Sequence, residues 1–154
     1  MSPEEELWIQ QRCAQLIHEF GAFVDADVPT RVAELFTADG VLDRAGIVAT
    51  GRAAIASSIS RAAPGTVRVH LYSNLTVRVQ SSDHAAGRCY YQAFTFDAAP
   101  DEQQPTTPMV LGRIEDTFVR TEQGWRISYR RQVRVATRGR APSPHTGPTP
   151  ERSS

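Results

Sequence analysis

The sequence predicts an α+β fold in which helices cover one face of a strongly curved, mostly antiparallel sheet. Three observations lead there. Helical periodicity is confined to the part of the chain before Val67. Val67–Gln80 (VRVHLYSNLTVRVQ) then alternates apolar and polar side chains with hardly a break, as a strand between two different environments does. Further strand-like runs follow, separated by turn signals, as antiparallel neighbours require. A chain of 154 residues suits one domain with a substantial core.

The elements follow in order. Ser2-Pro3-Glu4-Glu5 reads as a capping box with proline at the first helical position. Ile9, Cys13, Leu16, Ile17, Phe20 and Val24 then form one apolar stripe, with Gly21 as a sign of close packing and His18 on the opposite, solvent side. Asp25-Ala26-Asp27-Val28-Pro29 ends this helix. Asp27 is placed to cap a second helix over Pro29–Phe36, while Asp25 has no visible structural duty. Thr37–Gly40 reads as a turn before a short strand at Val41–Arg44, and Gly51 precedes a third helix over Arg52–Ala62. After the alternating strand, a turn at Ser81–Asp83 leads to a strand at Ala85–Phe96. A polar loop is expected at Pro100–Pro108, and a hairpin of Val110–Thr121 and Trp125–Val135 closes around Glu122-Gln123-Gly124. Residues 1–135 therefore read as one domain. Residues 136–154, with four prolines and no large apolar side chain, read as a flexible tail.

Composition narrows the function classes. The 17 acidic and 17 basic residues balance, and the basic ones are not gathered on one element, so no nucleic-acid partner is expected. Every basic residue is arginine, which removes lysine Schiff-base chemistry. Cys13 and Cys89 lie in apolar patterns and read as buried free thiols rather than as a disulfide or zinc pair. No metal-ligand constellation, phosphate-binding glycine loop or nucleophile-elbow motif is present. Without a signal peptide or membrane-span pattern, a cytoplasmic location with no membrane partner is expected.

On the alternating strand His70, Tyr72 and Asn74 share one face, which lines either a polar pocket or a wet surface. Tyr90 and Tyr91 point to opposite faces, so one of them is available to a pocket. Trp125 reads as a core anchor.

Taken together, the aspartate-ended first helix, Val32–Gly40, Thr50-Gly51-Arg52-Ala53-Ala54-Ile55, the His70/Asn74 strand and the Glu115–Ile127 hairpin resemble the SnoaL-like branch of the NTF2-like superfamily. Its members include scytalone dehydratase, ketosteroid isomerase, polyketide cyclases and the small subunit of ring-hydroxylating dioxygenases. The resemblance implies a cone-shaped barrel in which three N-terminal helices close a pocket, and a homodimer formed through the outer sheet face. It also implies that Asp25 pairs with His70, so that one ring nitrogen is fixed and the other exchanges a proton. Arg44, Asp97 and Glu115 stand near positions where the dehydratase has a water-holding tyrosine, a second histidine and an asparagine. Phe20 stands where the isomerase has its oxyanion tyrosine, so neither full constellation is carried over.

The function expected is a cofactor-independent lyase, isomerase or cyclase acting on a hydrophobic, oxygenated small molecule of polyketide, aromatic or steroid-like type. His70 is the expected acid or base and Asp25 its partner, with Tyr72, Asn74, Tyr90, Tyr91, Arg44 and Glu115 as substrate contacts. The alternative is a non-catalytic ligand-binding protein or a structural subunit of the dioxygenase type.

Overall fold

The computed structural model describes residues 1–97 and 109–138. The loop expected at Pro100–Pro108, the side chain of Asp97 and all of the tail beyond 138 lie outside the described residues.

Helix α1 (Pro3–Asp25) begins as its sequence requires: the Ser2 hydroxyl accepts the Glu5 N–H at 3.1 Å, and three glutamates occupy the positive end of the helix dipole. The whole predicted stripe is buried and packs mainly across strand β3 (Thr66–Val79). Helix α2 (Pro29–Glu34) is shorter than expected, and Asp27 does not cap it. Asp27 sits at φ 58°, and its carboxylate instead accepts from the Ala62 N–H at 3.3 Å and from Arg68 at 3.0 Å. A charged partner from another element wins over a local cap, which matters less where proline has already removed one N–H.

The turn expected at Thr37–Gly40 is instead part of strand β1 (Phe36–Arg44), which absorbs those residues as a register irregularity between Phe36 and Val41. Strand β2 (Ile47–Thr50) folds back on β1, and helix α3 (Arg52–Ser58) comes only after it. Among the described residues one long helix and two short ones are thus present, and the third is separated from the first two by strands.

Strands β3, β4 (His84–Asp97), β5 (Met109–Thr121) and β6 (Gly124–Arg138) are antiparallel neighbours, with β6 running three residues past the expected domain end. Among the described residues the sheet order is β2-β1-β6-β5-β4-β3, and only β1 and β6 pair in parallel. Trp125, Phe36, Phe118, Ile114 and Ile127 join the α1 stripe in the core, each side chain worth roughly 2 kcal/mol of burial.

Strand β3 contains the feature that sets up the site. Ser73 pairs with Tyr90 and Thr76 with Arg88, so Asn74 and Leu75 together face Cys89 in a β-bulge, with Asn74 at φ 52°. The inserted residue reverses the strand's facing. Before it Arg68, His70 and Tyr72 point inward; after it Leu75, Val77 and Val79 do. The unbroken apolar row of the sequence is therefore split, and Val67 and Leu71 stand exposed on the outer face.

Candidate functional site

A cavity of about 490 Å³ opens between the C-terminal half of α1 and the sheet. Its wall takes Phe20 and Val24 from α1, Arg44 from β1, Ile59 and Ser60 from the segment after α3, and inward side chains from β3 to β6. Arg44 and His70 lie four strands apart in the sheet order yet line the same cavity, so the sheet is sharply bent around it.

His70 stands on this wall, held from behind by Asp25. One Asp25 oxygen lies 2.5 Å from the ring Nδ1, and the other accepts the His70 backbone N–H at 2.9 Å. A carboxylate oxygen accepts here, so Nδ1 is the donor, and in the neutral imidazole the lone pair is then on Nε2, the nitrogen Asp25 leaves free. Both carboxylate oxygens are engaged, which locks the rotamers of both residues. Asp25 reaches this position because α1 ends there, one residue beyond the buried Val24.

The other expected contacts divide. Arg44 and Tyr91 line the cavity with His70. Tyr91 is the inward member of the tyrosine pair, and its ring lies across Gly112, where a Cβ would come within 2.2 Å of it. Tyr72 faces inward but does not line the cavity. It lies beneath α1, against Gly21 and the edge of the His18 ring, and its buried hydroxyl has no hydrogen-bond partner among the described residues. Burial pushes its phenol well above the ordinary tyrosine range.

Asn74 and Tyr90 border a second depression of about 350 Å³ at the bulge, with Arg88 and Arg113. The bulge carries Asn74 away from the face it was expected to share with His70. Glu115 faces away from the cavity and pairs with Arg113 at 3.1 Å and Arg131 at 3.9 Å. Asp43, beside Arg44, is used by a turn and by the Tyr129 hydroxyl.

Sequence reading misses Arg68, Gln132 and Arg134 on the cavity wall. On β6 the apolar Val133 and Val135 made the core face look odd-numbered, whereas Arg130, Gln132 and Arg134 are the inward set. A register irregularity at Ser128 switches the inward parity from Trp125 and Ile127 to Arg130 and Gln132, and no sequence signal marks it. Beneath the cavity Arg130 and Asp116, both fully buried, form a bidentate pair at 2.6 and 2.7 Å, with the guanidinium 4.1 Å over the Phe20 ring. Burial opposes the charge on Arg130, but the Asp116 carboxylate more than offsets it and holds the guanidinium protonated. Cys13 and Cys89 are buried as expected, their thiols pushed up to about 12 by desolvation. Among the described residues no three His, Cys, Asp or Glu side chains converge as metal ligands.

Residues 5–131 match the profile of the SnoaL-like domain. The chain belongs to this family. Among solved structures, a candidate scytalone dehydratase from Novosphingobium aromaticivorans superposes with a TM-score of 0.75 at 19% identity, covering 95% of this chain and 99% of that one. LinA superposes with a TM-score of 0.74 at 16% identity over 92% and 95%. An NTF2-like protein with a cystatin-like fold, also from N. aromaticivorans, is 27% identical over 84% of each chain, with a TM-score of 0.67. No curated protein matches the chain. The SnoaL-like, NTF2-like assignment thus rests on sequence and on fold together.

Proposed function

We propose that this SnoaL-like protein is a small-molecule lyase, isomerase or cyclase working by general acid–base chemistry at His70. The observation that carries the reading is the His70–Asp25 pair on the wall of an open cavity. In this reading Nε2 takes a proton from an acidic carbon, Asp25 stabilises the imidazolium that forms, and the same proton is returned at a second atom or to a leaving hydroxyl. The apolar wall of Phe20, Val24, Ile59 and Val110 suits a hydrophobic skeleton. A structural neighbour described as a candidate scytalone dehydratase supports a reaction of this broad type without naming the substrate.

The test is turnover of a panel of enolisable and dehydratable substrates. His70→Ala is expected to lower kcat/KM by about 10²- to 10⁴-fold, and Asp25→Asn by a smaller factor within that range. Unchanged turnover by His70→Ala in an otherwise active protein removes His70 from the mechanism. A purely structural subunit, the alternative, predicts a filled or wholly apolar cavity, and is less well supported by a wall that carries His70, Gln132 and three arginines.

A homodimer formed through the outer sheet face belongs to the same proposal. Val67, Leu71 and Val135 are exposed on that face, with Leu71 at 53%.

A further inference from the structure

The charge of the cavity departs from that of the chain. The protein as a whole balances 17 acidic against 17 basic residues, yet among the described residues the cavity wall holds Arg44, Arg68 and Arg134 and no aspartate or glutamate. Arg68 is accounted for, since its Nη2 reaches Asp27 Oδ1 at 3.0 Å and the Val24 carbonyl at 2.5 Å. Arg44 and Arg134 have no carboxylate partner among the described residues. Arg44 donates to the Ser58 carbonyl, which fixes its guanidinium in place without neutralising it.

The two guanidiniums stand on neighbouring strands of one wall, since Arg44 pairs with Gln132, two residues before Arg134. Burial lowers the Arg44 pKa, and the neighbouring charge of Arg134 lowers it further. Tyr91 stands near both: burial raises its phenol, and Arg134 and then Arg44 oppose that rise. The alignment originates in the strand register. Tyr91, Gly112 and Arg134 are successive partners across β4, β5 and β6, and the missing side chain at Gly112 lets the Tyr91 ring lie across β5, the strand between β4 and that of Arg134. Two like charges on one cavity wall, Arg44 half-buried and Arg134 more exposed, repel each other, and a bound anion relieves that repulsion. Guanidinium forks favour carboxylate, which they bind through paired charge-assisted hydrogen bonds.

We infer that the ligand handled at His70 is an apolar molecule bearing a carboxylate, seated at Arg44 and Arg134 beside Tyr91 while its skeleton lies on Phe20, Val24 and Ile59. That His70 acts on this ligand rests on the acid–base reading above; the carboxylate site itself does not, and binding tests it separately. Titration calorimetry on the whole protein compares 2-naphthoate with 2-naphthamide, and 4-biphenylcarboxylate with its amide. Each pair has nearly the same shape and differs in charge. The carboxylates are expected to bind at least about tenfold tighter, with the preference shrinking as salt is raised. Arg134→Gln is expected to remove about tenfold of that preference and to leave amide binding unchanged.

Arg44→Gln is expected to act in the same direction. Because Arg44 also ties the end of α3 through Ser58, the exposed Arg134 provides the decisive variant should Arg44→Gln fail to fold. His70→Ala must keep the charge preference whatever it does to turnover. Binding of carboxylate and amide within about twofold of each other overturns the inference, as does a preference that survives Arg134→Gln, or no binding of any of the four at millimolar concentration. Any of those results leaves the proton-transfer reading standing, and a failed turnover test leaves the anion site standing.

Discussion

At the scale of single residues, two carboxylates do opposite kinds of work. Asp25 is partly exposed and spends both oxygens on His70, one on the ring and one on the backbone, so it orients a group that faces the cavity. Asp116 is fully buried and spends both oxygens on Arg130, which lies beneath the cavity floor. Burial raises the Asp116 carboxyl, and the Arg130 contact opposes that rise; the short bidentate geometry keeps the pair ionic. Removing one partner strands the other charge in the core. Asp116→Leu and Arg130→Met are therefore each expected to cost about 3–5 kcal/mol in urea unfolding, while the double variant costs less than either. Additive losses would show that the two residues do not act as a pair.

At the scale of elements, the placement of α1 decides the site, because Asp25 is its last residue. The helix lies close on β3 at Gly21, where a Cβ would come within 2.5 Å of the Tyr72 ring. Two effects compete on Gly21→Ala. Helix propensity favours alanine by about 1 kcal/mol. Overpacking against a buried aromatic ring costs about 1–3 kcal/mol, and the ring has little room to retreat under the helix. The clash is expected to win, giving a lower Tm. It should also weaken turnover more than stability alone explains, since lifting α1 moves Asp25 from His70. A raised Tm would mean that Tyr72 yields freely and that the packing is looser than the geometry indicates.

At the scale of the whole molecule, sheet curvature brings together groups that the strand order keeps apart. β1 and β3 are separated by three other strands, and only the bend lets Arg44 and His70 share a cavity. The bulge in β3 leaves Val67 and Leu71 facing outward, which motivates the proposed homodimer. Light scattering on the eluting protein is expected to give twice the 17.0 kDa chain mass, and Leu71→Glu is expected to give the single mass with the fold retained. A monomeric parent protein would refute that interface. No helix among the described residues is long and apolar enough to cross a membrane.

By itself the sequence determined the α1 stripe with its Ser2 cap, the existence of β3 to β6, the hairpin at Gly124, the buried thiols and Trp125, and the pairing of Asp25 with His70 through resemblance. These depend on local period, on turn chemistry and on a motif carried by a few positions. Tertiary structure alone decided which side of each strand faces in. One bulge at Asn74 reversed β3, so a run that reads as a single apolar face serves two environments, and Asn74 left the site while Leu71 reached solvent. It also decided that Asp27 serves Arg68 rather than a helix end, and that Arg134 joins Arg44 beside Tyr91. Period-2 patterning assumes a dry interior. Here part of the interior is a polar cavity, so inward residues are polar and the apolar ones beside them face out.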